Sequence, residues 1–449
     1  MKRILLINAL SPSGDKEFNL GLGYIAASLK KSNIQVRVLC DDLYAYEDIA
    51  LIRAIKEGGE KIVGISSMYA SFLRVIHFVQ LIKSYNPDIK VILGGFLPSA
   101  SPEFVLNKSH ADFACIGPGE ETIVKIVEAI YDNQIYDSIP NIAYRDGAVV
   151  TITKKEQLCL ETLKDIDWPL WEAFPIERYL LSPTYYPFES KDRVFNIITA
   201  RGCPYSCNFC YNPSPYFQRD LDDVLNEMEY LIKHYKVNGF YIEDDLLMVS
   251  KDRILSFCNK ITQRGIKIKY TITGRFNIID EDILYALKQT GCITIFYGAE
   301  SGNQKILDNM NKKITLEQIY RGVELTRKND IFCRMGFMFG QPHETRETLK
   351  DTISLIKNLA YGCYEERYLY GCIPFPGSAL FDFCIKNGLL KDDNDFFNRF
   401  NFNGRILSQL PVNMTDIKDD VNLLLYQANE QLRIFYAKQR SHGWYEKIL

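Results

Sequence analysis

From Lys2 to about Tyr131 the chain alternates short aliphatic runs with amphipathic stretches. The runs KRILLINA, VRVLC, KIVGISS, KVILGG and FACIGPG are separated by segments such as GLGYIAASLKK and FLRVIHFVQLIKSY, in which apolar residues return every three or four positions. This alternation predicts a doubly wound, Rossmann-like parallel sheet with helices between its strands. Ligands of such sheets sit at the carboxyl ends of the strands. Small and polar residues collect at those ends: Asn8, Ser11 and Pro12; Ser66 and Ser67; Gly94 and Gly95; Gly117, Gly119 and Glu120.

Next, IAYRDGAVVTI predicts a hairpin turning at Asp146-Gly147,. The first domain is expected to span 1–150. Residues 151–190, which include DIDWPLWEAFPIERYLLSPTYYPF, are proline- and aromatic-rich and read as an ordered linker packing between domains. A second alternating series then begins, with strands expected at FNIITA, GFYIED, KYTITGR, ITIFYGAE, CRMGFMFG and YLYGCIPF. Six β/α units predict an open, partial (β/α)6 barrel over 191–390, with its chemistry at the carboxyl ends of the strands. The remainder, 391–449, reads as a helical tail whose Phe396, Phe397, Phe400 and Phe402 belong to the core,.

Composition narrows the class. With 47% hydrophobic and 24% charged residues and a formal net charge of -3, the chain has the profile of a soluble globular protein and no basic stripe for nucleic acid,. The opening MKRILLINAL is too short for a signal peptide or a membrane span, so a cytoplasmic protein is expected,. Twelve cysteines in such a chain point to metal binding, catalysis or plain burial rather than a disulfide framework,.

Spacing separates these roles. RGCPYSCNFCYNP holds Cys203, Cys207 and Cys210 as CxxxCxxC, directly after the first barrel strand. A structural zinc site usually takes four protein ligands. Here the nearest histidine, His234, is 24 residues away from Cys210 and no fourth cysteine is close. Three thiolates suit a four-iron cluster with one iron left open. The other cysteines, at 40, 115, 159, 258, 292, 333, 363, 372 and 384, lie in apolar settings without metal spacing and read as buried,.

In this motif the chain resembles the radical S-adenosylmethionine (SAM) superfamily. The resemblance implies that SAM chelates the open iron of a 4Fe-4S cluster and is split by an electron from it, giving a 5'-deoxyadenosyl radical. Further matches follow the later strands. Glu243, Asp244 and Asp245 end the second strand, where a carboxylate can accept hydrogen bonds from the methionyl ammonium. Arg275 ends the third and can pair with the methionyl carboxylate. Glu300, Ser301 and Gly302 follow the fourth, Gly340, Gln341 and Pro342 the fifth, and PFPGSAL the sixth.

The whole arrangement, from a doubly wound domain through a DG hairpin and a DxDWPxW linker to the barrel, resembles the cobalamin-binding class of radical SAM enzymes. The resemblance implies that the first domain holds cobalamin by its lower face and tail, with the upper face of cobalt toward the barrel. LGGFLPSASPE and IGPGEET match the class's glycine-bearing loops, and Met68 or Tyr69 would lie beneath the corrin. The DxHxxG motif of classical cobalamin enzymes is absent, since neither His77 nor His110 sits in one.

The implied activity is methyl transfer to an unactivated carbon or a phosphorus centre. The alternative is a cyclisation or rearrangement without net methyl transfer. A methylthiotransferase would carry three cluster cysteines in the first domain, where only Cys40 and Cys115 occur. A non-catalytic cobalamin or cluster sensor is opposed by the full set of Cys203, Cys207, Cys210, Arg275 and Glu300. Expected partners are a small-molecule, peptide or protein substrate and an external electron donor of flavodoxin or ferredoxin type. Tyr211, Tyr216, Phe217, Tyr297, Phe337 and Tyr370 stand either at the barrel mouth or in its core.

Overall fold

In the computed structural model the first aliphatic runs become β1 (Arg3–Asn8), β2 (Gln35–Cys40), β3 (Ile62–Ser66), β4 (Lys90–Gly94) and β5 (Phe113–Cys115). The structure describes residues 1–10, 18–156, 167–180, 188–359, 368–400 and 409–441. Ser11, Pro12, Cys159, Cys363 and Phe402 lie outside them. The chain divides into two compact units, one mainly Met1–Tyr186, the other mainly Pro187–Tyr211, Gln218–Asn401 and Arg405–Leu449.

In the first unit the parallel strands lie in the order β2-β1-β3-β4-β5. Ile4 to Ile7 are fully buried, as a strand covered on both faces requires,. The order reverses at β1, so the crevice between the ends of β1 and β3 is the expected ligand position. An antiparallel hairpin, β6 (Ile142–Asp146) and β7 (Val149–Ile152), extends the sheet beyond β5. Gly147 takes φ +59° in its turn, a conformation glycine adopts without a Cβ penalty,.

Within that unit, the tryptophan-rich segment packs on the helix Leu20–Lys31. Leu170 donates its backbone N–H to Gly23 O at 3.0 Å, and Phe18 contacts Trp171, Phe174 and Tyr179 with ring centroids 5.1, 4.8 and 5.5 Å apart. The described part of the expected linker, 167–180, is thus joined to the first unit by aromatic burial.

The second unit carries β8 (Val194–Ile197), β9 (Gly239–Ile242), β10 (Lys269–Gly274), β11 (Cys292–Glu300), β12 (Phe332–Phe339) and β13 (Leu369–Gly371) in sequential, all-parallel order. Side-chain caps start the intervening helices: Asp220, Ser250, Asp280, Ser378 and a capping box at Thr315,. The long helix Val421–Ser441 covers the last strand, and the Asn429 amide both donates to Leu369 O (3.0 Å) and accepts from Leu369 N (2.8 Å). That side chain replaces a missing neighbour strand at an open edge. Phe396, Phe397 and Phe400 are buried, with Phe396 stacked on Phe400 at 5.3 Å. Among the described residues no helix is long and apolar enough to cross a membrane.

Candidate functional site

The loop after β8 is pinned at both ends. Asp244, two residues past the end of β9, accepts from Thr199 N and Thr199 Oγ1 at 2.5 Å each and from Ala200 N at 3.0 Å. Burial pushes its pKa up to about 6 while these donors oppose the rise,. Gly202 then turns the chain at φ +72° into Cys203. Further on, Asn208 donates its backbone N–H to Met310 O (3.0 Å) and its side-chain amide to Asn309 O (3.0 Å) and Gln341 Oε1 (3.3 Å). Asn311 donates to Ser206 O and Oγ, both at 2.8 Å.

Cys203 and Cys207 are half-buried and Cys210 is exposed, all as free thiols. Burial raises the pKa of Cys203, so deprotonation needs positive charge, which cluster irons provide,. Among the described residues no three His, Cys, Asp or Glu side chains are grouped to hold a single metal ion. Three thiolates on separate corners of a cube need no such convergence. Three thiols on one loop that turns at Gly202 are the donor chemistry such a cluster takes,.

Around it lies a set of charges. Arg275 is buried, with its guanidinium 3.6 Å over the Tyr205 ring, Nη2 donating to Lys312 O and Nε to Asn277 Oδ1 at 3.3 Å,. Lys312 pairs with Glu300 at 2.6 Å, both buried, and its ammonium lies 5.6 Å over the Phe209 ring. Glu300 sits at φ +62° where β11 and β12 shift register. Glu243 and Asp245 are exposed on the opposite side of their chain from Asp244; Glu243 accepts from Asn196 Nδ2 at 3.2 Å, and Asp245 acts electrostatically on Cys203.

Several expected cofactor contacts take other partners. Asp244 spends its oxygens on the β8 turn. Ser301 is fully buried, its hydroxyl 3.2 Å from Thr352 Oγ1 of the helix Arg346–Leu359. The backbone N–H of Gly340 donates to Glu344 Oε2, a Cβ there would stand 2.5 Å from Leu410 Cδ2, and Pro342 is buried. Arg275 braces the cluster loop rather than standing open. Tyr297 and Phe337 are core residues. Lys312, Asn208, Asn311 and Glu344 went unnoticed in the sequence because their partners are 12 to 133 residues away or, for Glu344, because a Glu in a turn looks ordinary.

In the first unit the expected ligand residues do gather at the strand ends. Asn8 and Ser66 are register partners, and Asn19, which caps the helix Leu20–Lys31, donates to both at 2.9 and 3.0 Å. Ser67 donates its backbone N–H to Gly94 O (2.7 Å), while its buried hydroxyl has no hydrogen-bond partner among the described residues. Gly95, at φ +111°, comes so close to Ser67 that a Cβ would lie 2.6 Å from Ser67 O, whereas Gly94 faces open space. Gly117 donates its N–H to Ser99 Oγ (2.9 Å), and Ser99 Oγ donates to Gly95 O (2.8 Å), tying the β4 and β5 loops together. Gly119 caps the helix that Glu120 begins, and Met68 and Tyr69 lead from Ser67 toward the helix Phe72–Tyr85. A glycine-lined cradle with a buried hydroxyl lacking a partner fits an elongated ligand with polar acceptors, as the tail of cobalamin is.

A loop of three free thiols on a six-stranded parallel partial barrel defines a radical SAM enzyme, and the Radical SAM superfamily model matches residues 197–356. The B12 binding domain model matches residues 9–127. The chain belongs to the cobalamin-binding radical SAM enzymes, whose cofactors are a 4Fe-4S cluster, SAM and cobalamin. It is 27% identical to an uncharacterized methyltransferase of Pyrococcus horikoshii over 379 residues, covering 83% of this chain and 79% of that one. It is 28% identical to the anaerobic magnesium-protoporphyrin IX monomethyl ester cyclase of Rubrivivax gelatinosus over 349 residues, 75% of this chain but only 60% of the cyclase. In fold it resembles the radical SAM methyltransferase TsrM of Kitasatospora setae, solved with cobalamin and a 4Fe-4S cluster, at a TM-score of 0.72 and 18% identity over 86% of this chain and 78% of that one.

Proposed function

We propose that the protein is a cobalamin-dependent methyltransferase acting on an unactivated carbon or phosphorus centre. The presence on one chain of both a three-thiol loop and a switch-point cradle carries this reading, and the likeness to a methyltransferase of Pyrococcus horikoshii supports it. When bound, the cluster and SAM supply hydrogen abstraction and cobalamin supplies the methyl group.

The chain's own residues bind and orient. Cys203, Cys207 and Cys210 hold the cluster, while Asp244, Asn208 and Asn311 keep their loop in place. Glu243 and Asp245 offer carboxylates to the methionyl ammonium of SAM. The Glu300–Lys312 pair and Arg275 form the wall against the loop. In the first unit Ser67, Gly94 and Gly95 receive the cobalamin tail. A low-potential flavodoxin or ferredoxin is the expected electron donor, and a cytoplasmic setting suits it.

The test is anaerobic reconstitution, with iron, sulfide and corrinoid analysis, followed by turnover with SAM and reductant. Methyl transfer predicts both 5'-deoxyadenosine and S-adenosylhomocysteine, and a product one CH2 heavier than its substrate. A cyclase or rearrangement enzyme, the reading favoured by the likeness to the Rubrivivax cyclase, gives 5'-deoxyadenosine without S-adenosylhomocysteine and no added carbon. Absence of both nucleosides in cluster-loaded protein would defeat either version.

A further inference from the structure

The cluster loop interleaves aromatic residues with its thiols: Tyr205 stands between Cys203 and Cys207, and Phe209 between Cys207 and Cys210. Each ring carries a cation. The Arg275 guanidinium lies 3.6 Å over the Tyr205 ring, and the Lys312 ammonium lies 5.6 Å over that of Phe209,. Asn277 closes the first contact, since its amide donates to the Tyr205 hydroxyl at 3.3 Å and its Oδ1 accepts from Arg275 Nε at 3.3 Å. The two cations are tied to each other, because Arg275 Nη2 donates to Lys312 O. The segment that carries Lys312 also follows the loop: Asn311 donates to Ser206 O, and Met310 O accepts from Asn208 N.

These charges do not balance. Arg275, Lys312 and Glu300 keep only 6%, 8% and 7% of their surface exposed. Lys312 is paired with Glu300 at 2.6 Å, and glycine at position 298 leaves space for that pair, since a Cβ there would collide with Glu300 Oε1 and Lys312 Nζ. Arg275 has no ion-pair partner among the described residues, and its hydrogen-bond acceptors are a carbonyl and an amide. One buried positive charge is left over, which a protein interior tolerates poorly without an opposite charge beside it. Beyond burial, which acts on both thiols, Arg275 acts electrostatically on Cys203 and Lys312 on Cys210, while the exposed Asp245 opposes both. Three thiolates outweigh the charge of an oxidised iron-sulfur core, and an electron taken up adds one more negative charge.

We propose that Arg275 and Lys312, seated on the two rings of the loop, are positioning residues that set how readily the cluster accepts its electron. Their buried positive charge favours the reduced form, and Glu300 moderates Lys312. The inference deepens the methyltransferase reading and rests on Cys203, Cys207 and Cys210 holding the cluster. Net charge is one determinant of an iron-sulfur potential, and a charge counts for more where water is excluded. The electron comes from the external donor of flavodoxin or ferredoxin type and stays on the cluster, with no bond formed or broken.

The test follows cluster reduction in the holoenzyme without SAM, so that neither methyl transfer nor the methionyl carboxylate enters the result. Low-temperature electron paramagnetic resonance reads the ratio of reduced to oxidised cluster at fixed solution potentials, set with a titanium(III) reductant and viologen mediators. Arg275→Gln and Lys312→Met are each expected to lower that ratio about tenfold, a midpoint about 59 mV lower for a one-electron couple, and Glu300→Gln to raise it. Arg275→Lys and Lys312→Arg keep the charge and should stay within about threefold of the parent. Iron and sulfide content equal to the parent's shows that a variant carries its cluster; where one charge-removing variant does not, the other and Glu300→Gln decide. Ratios unchanged by charge removal, or shifted alike by charge-keeping and charge-removing variants, mean that these side chains only brace the loop, and they overturn the inference. A parent that takes up no iron and sulfide defeats the three-thiol reading itself and the inference with it.

Discussion

Glu344 shows how much a single side chain can carry without touching a cofactor. Its Oε2 accepts the backbone N–H groups of Gly340 and Gln341, the latter at 2.9 Å, while Oε1 is buried with no partner among the described residues. Burial accordingly pushes its pKa up to about 7, against the opposing pull of those two N–H groups,. A carboxyl raised in the folded state stabilises fully below its unfolded value and loses that contribution as pH rises through about 7,. Glu344→Gln keeps an acceptor for both N–H groups and removes the titration. Between pH 5 and 8 the parent should therefore lose on the order of 1–3 kcal/mol relative to this variant. Denaturant melts at four pH values in that range check it; a parent that gains stability over the variant as pH rises would contradict it. At the same scale, the three-cysteine motif was legible because its spacing is local. Lys312 was not, because its meaning depends on Glu300 and Phe209 arriving from other parts of the chain.

At the scale of elements, the turns between strands and helices decide where ligands can sit. The loop after β4 combines a glycine facing open space, Gly94, with one pressed against backbone, Gly95. Gly95→Ala places a Cβ 2.6 Å from Ser67 O at φ +111°, so the loop must move,. Corrinoid content after reconstitution is expected to fall at least several-fold while the helices and strands persist by circular dichroism; unchanged cobalamin affinity would show that this cradle is not the binding site. Strand and helix identities were legible from periodicity, since alternating β/α units with short turns leave few other packings. The bonding of Asp244 to the β8 turn was not legible for a related reason. Three consecutive acids after a strand look equivalent in sequence, but Asp244 alone is buried, against Thr199 and Ala200, while Glu243 and Asp245 are exposed.

For the molecule as a whole, the two proposed cofactor sites draw on separate sets of residues. The cluster loop draws its support from Asp244, Asn311, Asn208 and Gln341, whereas the cradle draws its from Asn19, Ser99 and Gly95. Loading of the two should then be separable. A variant with Cys203, Cys207 and Cys210 all changed to alanine is expected to lose iron and sulfide yet bind cobalamin with near-parental affinity. Gly95→Ala should show the reverse, and loss of both cofactors in either variant would contradict separate sites. Sequence alone determined the order of elements, the doubly wound sheet, the partial barrel and the three thiols, because periodicity and ligand spacing are properties of neighbouring residues. Tertiary structure decided that Asp244, Arg275 and Ser301 brace their neighbouring loops and that Glu300 meets Lys312. Those facts depend on contacts between loops that follow different strands, which no pattern of neighbouring residues records.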